Sequence, residues 1–479
     1  MATSTKRLPD PPADVYPGIQ AERVQLLNDD AVRDDGRHVL YWMQQAQRAE
    51  LNHALEYAVR RANDLGLPLL VAFGLMDGYP EANLRHYHFM VHGLADVADA
   101  LRRRHVPFVV QRGAPDEVAL RLAADAALVV CDRGYLRPQR AWRERVAAEA
   151  GCSVVQVESD VVVPVELASD KKETAARTLR PKITRHLERF LVALPQARLV
   201  DTTVPDVEGE DLDDPDALLD RLALDRSVAP VLLFEGGTSA GERVLADFLA
   251  SRFAEYAAHR NQPQTDHVSH MSKYLHFGQL SPVYIALQVR EHADRVDENV
   301  ETYLEELIVR RELPMNFVYY EPRYDSYEQL PGWARQTLAE HARDRRDPQY
   351  TAQQLEDGQT DDPYWNAAMD EMRYAGYLHN YMRMYWGKKI LEWSATPEEA
   401  YATTLRLNNT YFVDGRDANS YANVAWVFGQ HDRGWTERTV FGKTRYMNAA
   451  GLERKADPQA FVEKVARTVA AAQQAGSRS

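Results

Sequence analysis

Residues 37–160 alternate short apolar, β-branched runs with amphipathic stretches of helical length. The apolar runs are HVLYWM, LPLLVAFG, VPFVVQR, ALVVCD and SVVQVE. Strands separated by helix-length segments predict right-handed βαβ units and a parallel sheet. No G-x-G-x-x-G or Walker loop follows the first run, so no motif indicates a nucleotide-binding site at that position. We therefore predict a Rossmann-like α/β domain over residues 37–165.

The pattern differs on both sides of this domain. Residues 1–36 begin with a proline-rich stretch and predict a flexible segment. Residues 166–240 predict an interdomain connector, because their acidic stretch VPDVEGEDLDDPD has a charge density that favours solvent. Strand patterns nearly vanish from residue 241 onward, where six of the eight tryptophans lie. Residues 241–479 are therefore predicted as a large all-α domain.

Composition narrows the classes of protein. A chain of 479 residues, 45% of them apolar, is long enough for two cores. Its apolar runs fall short of the roughly 20 residues that span a bilayer, so we expect a cytoplasmic protein without a membrane partner. The two cysteines, Cys131 and Cys152, fit a reducing compartment and exclude sites that need four thiolates. With a net charge of −14, any polyanionic partner must meet a local basic patch.

The stretch HNYMRMYWGKKILEW predicts one helix, and its two tryptophans, seven residues apart, return to nearly the same face. These are Trp386 and Trp393, with Trp365 in the preceding DPYWNAAMDEM. Most buried tryptophans fill cores. A row of rings beside Arg383 and Met384 is also suited to carry single electrons to a buried redox cofactor. The residues alone leave both interpretations open.

Two further motifs combine polar chemistry with helical pattern. In SHMSKYLHFGQLSP, Ser269 and Ser272 could bind phosphate oxygens, although helix capping is the commoner use of such serines. In YLEELIVRRELPMNF, Glu306 and Arg310 are four residues apart, which predicts an ion pair on one helical face. Such pairs are usually exposed and weak.

Residues 407–435 are rich in asparagine, aspartate, glycine and aromatic side chains and predict a long functional loop. Its polar residues Asn408, Asp414, Asp417 and Asn419 could bind the edge of a polar ligand. The segment that follows predicts a strip for a phosphate backbone, with a solvated surface as the alternative. Its basic residues are Arg433, Arg438, Lys443, Arg445, Arg454 and Lys455.

Eight segments of the chain, in their order, resemble the class II cyclobutane pyrimidine dimer photolyases of the photolyase and cryptochrome superfamily. They are VLYWMQQAQRAELNHAL, YLHFGQLS, EELIVRREL, DPYWNAAMDEM, YMRMYWGKKILEW, DGRDANSYANVAW, HDRGW and FGKTRYMN. The resemblance covers most of the chain past residue 37. It implies a Rossmann-like domain, a helical domain that holds a U-shaped FAD, and light-driven repair of dimers in DNA. The implied partner is damaged DNA, double- or single-stranded, bound in the nucleoid by a monomer without a metal or an obligate protein partner.

The resemblance also assigns roles residue by residue. Trp386 is similar to the tryptophan nearest the flavin, Trp365 to the middle one and Trp393 to the outer one of an electron-transfer chain. The implied catalytic residues are Glu306, Arg383, Met384, Asn408 and Trp426. The implied FAD-binding residues are Tyr256, Ser269, Ser272, Leu275, Gln279, Arg383, Asn408, Asp414 and Asp417. The implied DNA-binding residues are Arg310, Arg433, Arg438, Lys443 and Arg445.

Within these roles, Arg383 is expected to pair with Asp414 beside the flavin. Glu306 is expected to bind the thymine carbonyl edge, with a pKa raised by burial. The sequence departs from the pattern at Asn380, Arg310 and His53, and VFGQHD is one residue short. No motif specifies a deazaflavin or a folate as antenna chromophore.

Two other functions compete with repair. One is a photosensory flavoprotein of the same fold, and the other is a helical nucleic-acid-binding protein without a cofactor, in which the tryptophans are core residues. The two cysteines exclude the iron–sulfur branch of the superfamily.

Overall fold

The computed structural model describes residues 14–292 and 297–476. Its N-terminal half contains a six-stranded sheet in the order β1-β6-β5-β2-β3-β4. All neighbouring strands are parallel except β1, which runs antiparallel to β6. The strands are β1 Val24–Leu26, β2 His38–Met43, β3 Leu69–Leu75, β4 Phe108–Arg112, β5 Ala126–Asp132 and β6 Ser153–Val157. The predicted α/β domain and its five strands are confirmed.

Helices cover both faces of this sheet. They are α1 His53–Leu65, α2 Leu84–Arg103, α3 Pro115–Ala123 and α4 Arg137–Glu149. Along β2, Val39 and Tyr41 enter one core while Leu40 and Trp42 enter the other. Because both faces of the central strands are buried, their sequences are continuous apolar runs rather than alternating ones.

The structure differs from the predicted organisation within two segments, residues 1–36 and residues 166–240. Strand β1 lies within the segment predicted as flexible, where Val24 pairs with Val157. A three-residue edge strand is too short to give a periodic signal. The connector contains four helices, and Leu218 and Leu219 on the last of them join the sheet core. These helices are α5 Val165–Ala168, α6 Ala176–Thr184, α7 Leu187–Phe190 and α8 Pro215–Asp220.

The remainder is helical, as predicted. It contains α9 Thr238–Ser251, α10 Tyr256–His259, α11 Ser272–His276, α12 Pro282–His292, α13 Glu298–Leu304, α14 Arg311–Tyr320, α15 Gly332–Glu340, α16 Ala352–Glu356, α17 Pro363–Ala375, α18 Asn380–Trp393, α19 Pro397–Tyr411, α20 Ala418–Val427, α21 Ala449–Glu453 and α22 Pro458–Gly476. A π-helical segment, Glu305–Arg310, joins α13 to α14.

The predicted long loop over residues 407–435 is wrong in its first two thirds. Helix α19 continues to Tyr411, and α20 occupies residues 418–427. Asp417 caps α20, because its side chain accepts a hydrogen bond of 2.7 Å from the Asn419 amide. The short polar residues that indicated a loop are a capping segment and one buried helical face.

The two domains share an extensive polar and apolar contact. Buried Arg311 of α14 pairs with Asp160, which follows β6, at 2.8 Å. Phe89 on α2 lies 5.3 Å from Tyr274 and 5.5 Å from Phe277, between ring centroids. Within the described ranges, no helix combines the length and apolar character needed to cross a membrane.

Candidate active site

Helices α18, α19 and α20 enclose a cavity of about 400 Å³. Five residues assigned to the site from sequence line it together: Arg383, Met384, Trp386, Asn408 and Trp426. Asn380, Thr404, Phe412, Asn423, Val424 and Val427 complete the lining. The cavity therefore brings a cation, an amide and two indoles from three separate helices to one place.

Three contacts hold the Arg383 side chain in place at this cavity. Its Nη2 lies 3.5 Å from Asp414 Oδ2, the partner that the resemblance implies. Its Nε donates a hydrogen bond of 3.0 Å to the Leu378 carbonyl oxygen. The guanidinium carbon lies 4.2 Å from the centroid of the Phe412 ring. These contacts fix the guanidinium plane, as a cation that faces a planar ligand requires.

The three tryptophans form a connected buried row. Trp365 donates through Nε1 to the Trp386 carbonyl oxygen at 3.0 Å. The Trp365 and Trp393 rings meet edge to face with centroids 5.5 Å apart. Trp393 in turn lies 5.1 Å from the ring of Tyr350, which is partly exposed. The order from cavity to surface is thus Trp386, Trp365, Trp393.

A second group of predicted residues lies around α10 and α11. The Tyr256 and Tyr303 rings are 5.2 Å apart, and the Tyr303 hydroxyl shares a hydrogen bond with Ser269. Ser272 begins α11, and Leu275 is buried on it. His270 links this group to the cavity: its ring lies 4.9 Å from that of Tyr377, over which Arg383 also stacks.

The residues around α10 and α11 fit an anionic nucleotide. In the described part of the chain, several buried side-chain atoms here have no hydrogen-bond partner: Arg252 Nε, His259 Nδ1, Gln264 Oε1, His267 Nδ1 and His270 Nδ1. Native proteins rarely leave such atoms unsatisfied, so a polar ligand is expected among them.

Lys273 supports the same conclusion. Its side chain is buried at 1% exposure, and its Nζ donates to the His270 carbonyl oxygen at 3.1 Å and lies 3.7 Å from the Phe234 ring centroid. Among the described residues no carboxylate pairs with it, and burial lowers its pKa to about 7. A buried ammonium whose carboxylates, Asp414 and Asp266, act only at longer range is costly, and an anionic cofactor such as FAD would supply a direct counter-ion.

Two residues assigned to FAD lie apart from this site. The Gln279 side chain accepts from the Gly237 amide at 2.8 Å and donates to the Phe89 carbonyl oxygen at 3.3 Å, so both ends are used by the fold. Asp417 caps α20, pairs with His276 at 3.2 Å and lines a different cavity between the domains. Both side chains have partners within the fold, and their assignment to FAD stays a prediction.

Glu306 differs from its expected setting. Its side chain is 32% exposed and pairs with Arg260 Nη2 at 2.6 Å, rather than being buried alone. Arg310 pairs with Glu305 at 3.1 Å, not with Glu306. The reason is the π-helical segment, in which residues five apart share a face. Glu306 thus faces α10, and π segments of this kind occur often at functional sites.

Exposed basic side chains lie beside the cavity mouth. Arg445 stacks 5.6 Å from the Trp426 ring centroid and 4.4 Å from that of Trp435. The Arg433 guanidinium carbon lies 5.1 Å from the centroid of the same Trp435 ring. Arg445 Nε pairs with Asp432 Oδ2 at 3.1 Å. Arg438 and Lys443 are exposed in the adjoining turn. The strip predicted for DNA therefore begins at a cavity-lining indole.

Arg260, Lys273 and Tyr377 are site residues that the sequence analysis missed. Only Lys273 carried a usable signal, since it is a lysine inside MSKYLHF, where four of the seven residues are apolar or aromatic. Arg260 and Tyr377 lie in unremarkable local patterns and approach the site through tertiary contacts.

A larger cavity of about 880 Å³ lies at the carboxyl ends of β2 and β3, against the helical domain. Gln44, Gln45 and Met76 line one side, and His276, Phe277 and Arg416 line the other.

Comparisons with known proteins agree with these features. The sequence pattern of the DNA photolyase family matches residues 39–200. A deoxyribodipyrimidine photo-lyase of Methanothermobacter thermautotrophicus is 47% identical over 93% of this chain and 98% of its own length. One of Potorous tridactylus is 38% identical over 93% of this chain and 84% of its own.

A solved structure supports the fold. An archaeal photolyase of Sulfolobus tokodaii, described with two FAD molecules and a novel light-harvesting cofactor, superposes with a TM-score of 0.68 at 17% identity. The superposition covers 89% of each chain. The extent and identity of the sequence matches decide the family: the chain belongs to the DNA photolyases.

Proposed function

We propose that this enzyme repairs cyclobutane pyrimidine dimers in DNA as class II photolyases do. Membership of the family makes it a lyase of the deoxyribodipyrimidine photo-lyase type that uses FAD. The observation that carries the finer proposal is the single cavity lined by Arg383, Met384, Trp386, Asn408 and Trp426, with the basic strip at its mouth.

The cavity and the strip suit a lesion that leaves the duplex. Extrusion costs a few kcal/mol and costs least for a poorly stacked, damaged pair, which favours the dimer over intact bases. Met384 and Trp426 supply an apolar and an aromatic wall for the extruded bases. Arg433, Arg438, Lys443 and Arg445 would neutralise flanking phosphates. The acidic protein thereby binds DNA through one local surface.

Glu306 is the carboxyl group proposed to bind the dimer. Its partner Arg260 holds it at the surface of α10, and partial exposure leaves it free to exchange that partner for a carbonyl edge of the lesion. To donate a hydrogen bond, the carboxyl must be protonated when the lesion excludes water from it. The DNA-bound state, rather than the free protein, would then supply the burial.

When bound in its reduced form, FAD would supply the light-driven one-electron chemistry that splits the dimer. Arg383 and Asp414 would orient the ring and offset its charge, and Asn408 would present an amide to its edge. The Trp386, Trp365 and Trp393 row would carry electrons inward when the cofactor has become oxidised. The protein's task is positioning and electrostatics.

The interdomain cavity is our proposed site for an antenna chromophore, either a deazaflavin or a folate. The aromatic rings of Phe73, Tyr79, Trp142 and Phe277 line it, as a flat heteroaromatic ligand requires. Because the cavity lies against the helical domain, a chromophore bound in it would be placed to transfer excitation energy to the flavin.

The experiment that tests the proposal combines an absorption spectrum with a repair assay. Purified protein is reduced in blue light and incubated with dimer-bearing DNA in light and in darkness. Loss of dimers only in light supports repair. A flavin that bleaches without repair indicates the photosensor, and a colourless protein that does not bind added FAD would overturn both.

A further inference from the structure

Helix α2 presents two histidines, one turn apart, to helix α8. The His88 and His92 ring centroids are 4.3 Å apart, with the ring planes tilted by 37°. His92 Nε2 lies 3.1 Å from Asp216 Oδ1, in the first turn of α8. Ligating atoms of these three residues all lie within 4.8 Å of one another. The cluster lies outside the residues proposed above to bind FAD and DNA.

We propose that His88, His92 and Asp216 form a binding site for a divalent transition-metal ion of the Zn²⁺ class. Two imidazole nitrogens and one carboxylate oxygen suit Zn²⁺, Ni²⁺ or Cu²⁺, whereas Mg²⁺ and Ca²⁺ prefer all-oxygen sites. Histidines at i and i+4 share one helical face and can ligate a single ion.

The distances fit with a small adjustment. Bonds of about 2.0–2.2 Å in a tetrahedral zinc site place neighbouring donors roughly 3.3 Å apart. The 3.1 Å between His92 and Asp216 already matches this separation. The other donor atoms of the cluster lie up to 4.8 Å apart. Rotation of the His88 or His92 side chain would bring them to the separation that a tetrahedral site needs.

The geometry also leaves a place for a fourth ligand. Asp216 is 73% exposed, which leaves room for a water molecule as fourth ligand. Three protein ligands and one water make a tetrahedral set.

The fold holds the two helices in place for this site. Asp214 caps α8 by accepting a hydrogen bond of 3.0 Å from the Ala217 amide, and Leu218 and Leu219 are buried in the same core as Leu94 of α2. A bound ion would therefore tie the connector to α2, the helix whose Phe89 contacts Tyr274 and Phe277 of the cofactor-binding domain. The alternative is a simple His92–Asp216 ion pair.

The test uses the full-length, flavin-loaded protein after removal of metal with a chelator and then of the chelator. Zn²⁺ is titrated by calorimetry, and Co²⁺ is titrated by absorption to report the coordination geometry. We expect one Zn²⁺ per chain, a rise in the unfolding temperature with Zn²⁺, and binding weakened by at least about tenfold in H88A and in H92A.

His341→Ala is the matched control, since His341 also contacts two carboxylates, those of Asp344 and Glu437. Zn²⁺ binding in this variant should equal that of the wild type. Absence of a Zn²⁺ site in the wild type, or a site that survives both H88A and H92A in folded protein, would overturn the proposal and leave the ion pair alone. Unchanged circular dichroism of each variant shows that lost binding is not lost folding.

Discussion

Trp365 donates its indole N–H to the main-chain carbonyl oxygen of Trp386 at 3.0 Å. Because the acceptor is backbone, the position of the Trp365 ring is set by helix α18 rather than by a mobile side chain. The same ring meets Trp393 edge to face. One hydrogen bond thus fixes the middle member of the row relative to both of its neighbours.

Replacing Trp386 by Phe should abolish most light-driven reduction of the bound flavin, because Trp386 is the member of the three-tryptophan row that lines the cavity. The measurement is the rate of flavin bleaching in blue light with an external reductant. Flavin content should be retained. Trp333→Phe, on α15, is the control, and equal bleaching in the two variants would contradict the relay.

Lys273→Met should weaken FAD binding by roughly tenfold or more, the scale of a lost charge-assisted contact. The measurement is the dissociation constant from reconstitution of the apoprotein, followed by flavin fluorescence. Lys388→Met is a matched control, since Lys388 is also fully buried but donates to the Val427 oxygen and Thr444 Oγ1 instead. Equal FAD affinities would show that Lys273 faces no cofactor charge.

Glu306→Gln should lower the number of dimers repaired per absorbed photon severalfold, because an amide cannot supply the acidic proton. Binding of FAD should not change, as Glu306 pairs with Arg260 at the surface of the site. Glu301→Gln, exposed on α13, serves as control. Unchanged repair in the Glu306 variant would refute its catalytic role.

Arg438→Gln should weaken binding of damaged and undamaged DNA alike. If its guanidinium neutralises one phosphate, the slope of log K against log salt should fall by about 1. The measurement is a fluorescence-anisotropy titration at several salt concentrations. Arg121→Gln, exposed on α3, should leave the slope unchanged. An equal slope in the two variants would contradict the neutralisation of a DNA phosphate by Arg438.

The stability of the protein should depend on pH through Lys388. Burial lowers its pKa to about 7 from the ordinary 10.5, so between these values the unfolded chain binds more protons than the folded one. The free energy of unfolding therefore rises with pH over this window. Urea unfolding should show wild type gaining on Lys388→Met as pH increases from 7 to 10, and a constant difference would argue against a lowered pKa of Lys388.

The strands of the first domain and helix α18 were predictable because buried strands and long helices leave periodic apolar patterns. Helix α20 was not, since Asp417 and Asn419 form a cap that looks like a loop in sequence. The partners of Gln279 were not predictable for a similar reason: nothing local shows that Gly237 and Phe89 use its amide.

By itself, the sequence determined the α/β and all-α halves, the family resemblance and the tryptophans, because these depend on local periodicity and on motif order. Tertiary structure alone decided that Arg260 partners Glu306, that Lys273 is a buried cation, and that His88 and His92 face Asp216. Such pairings join residues far apart in the chain, and the packing of helices sets their distances. Local pattern holds no record of them.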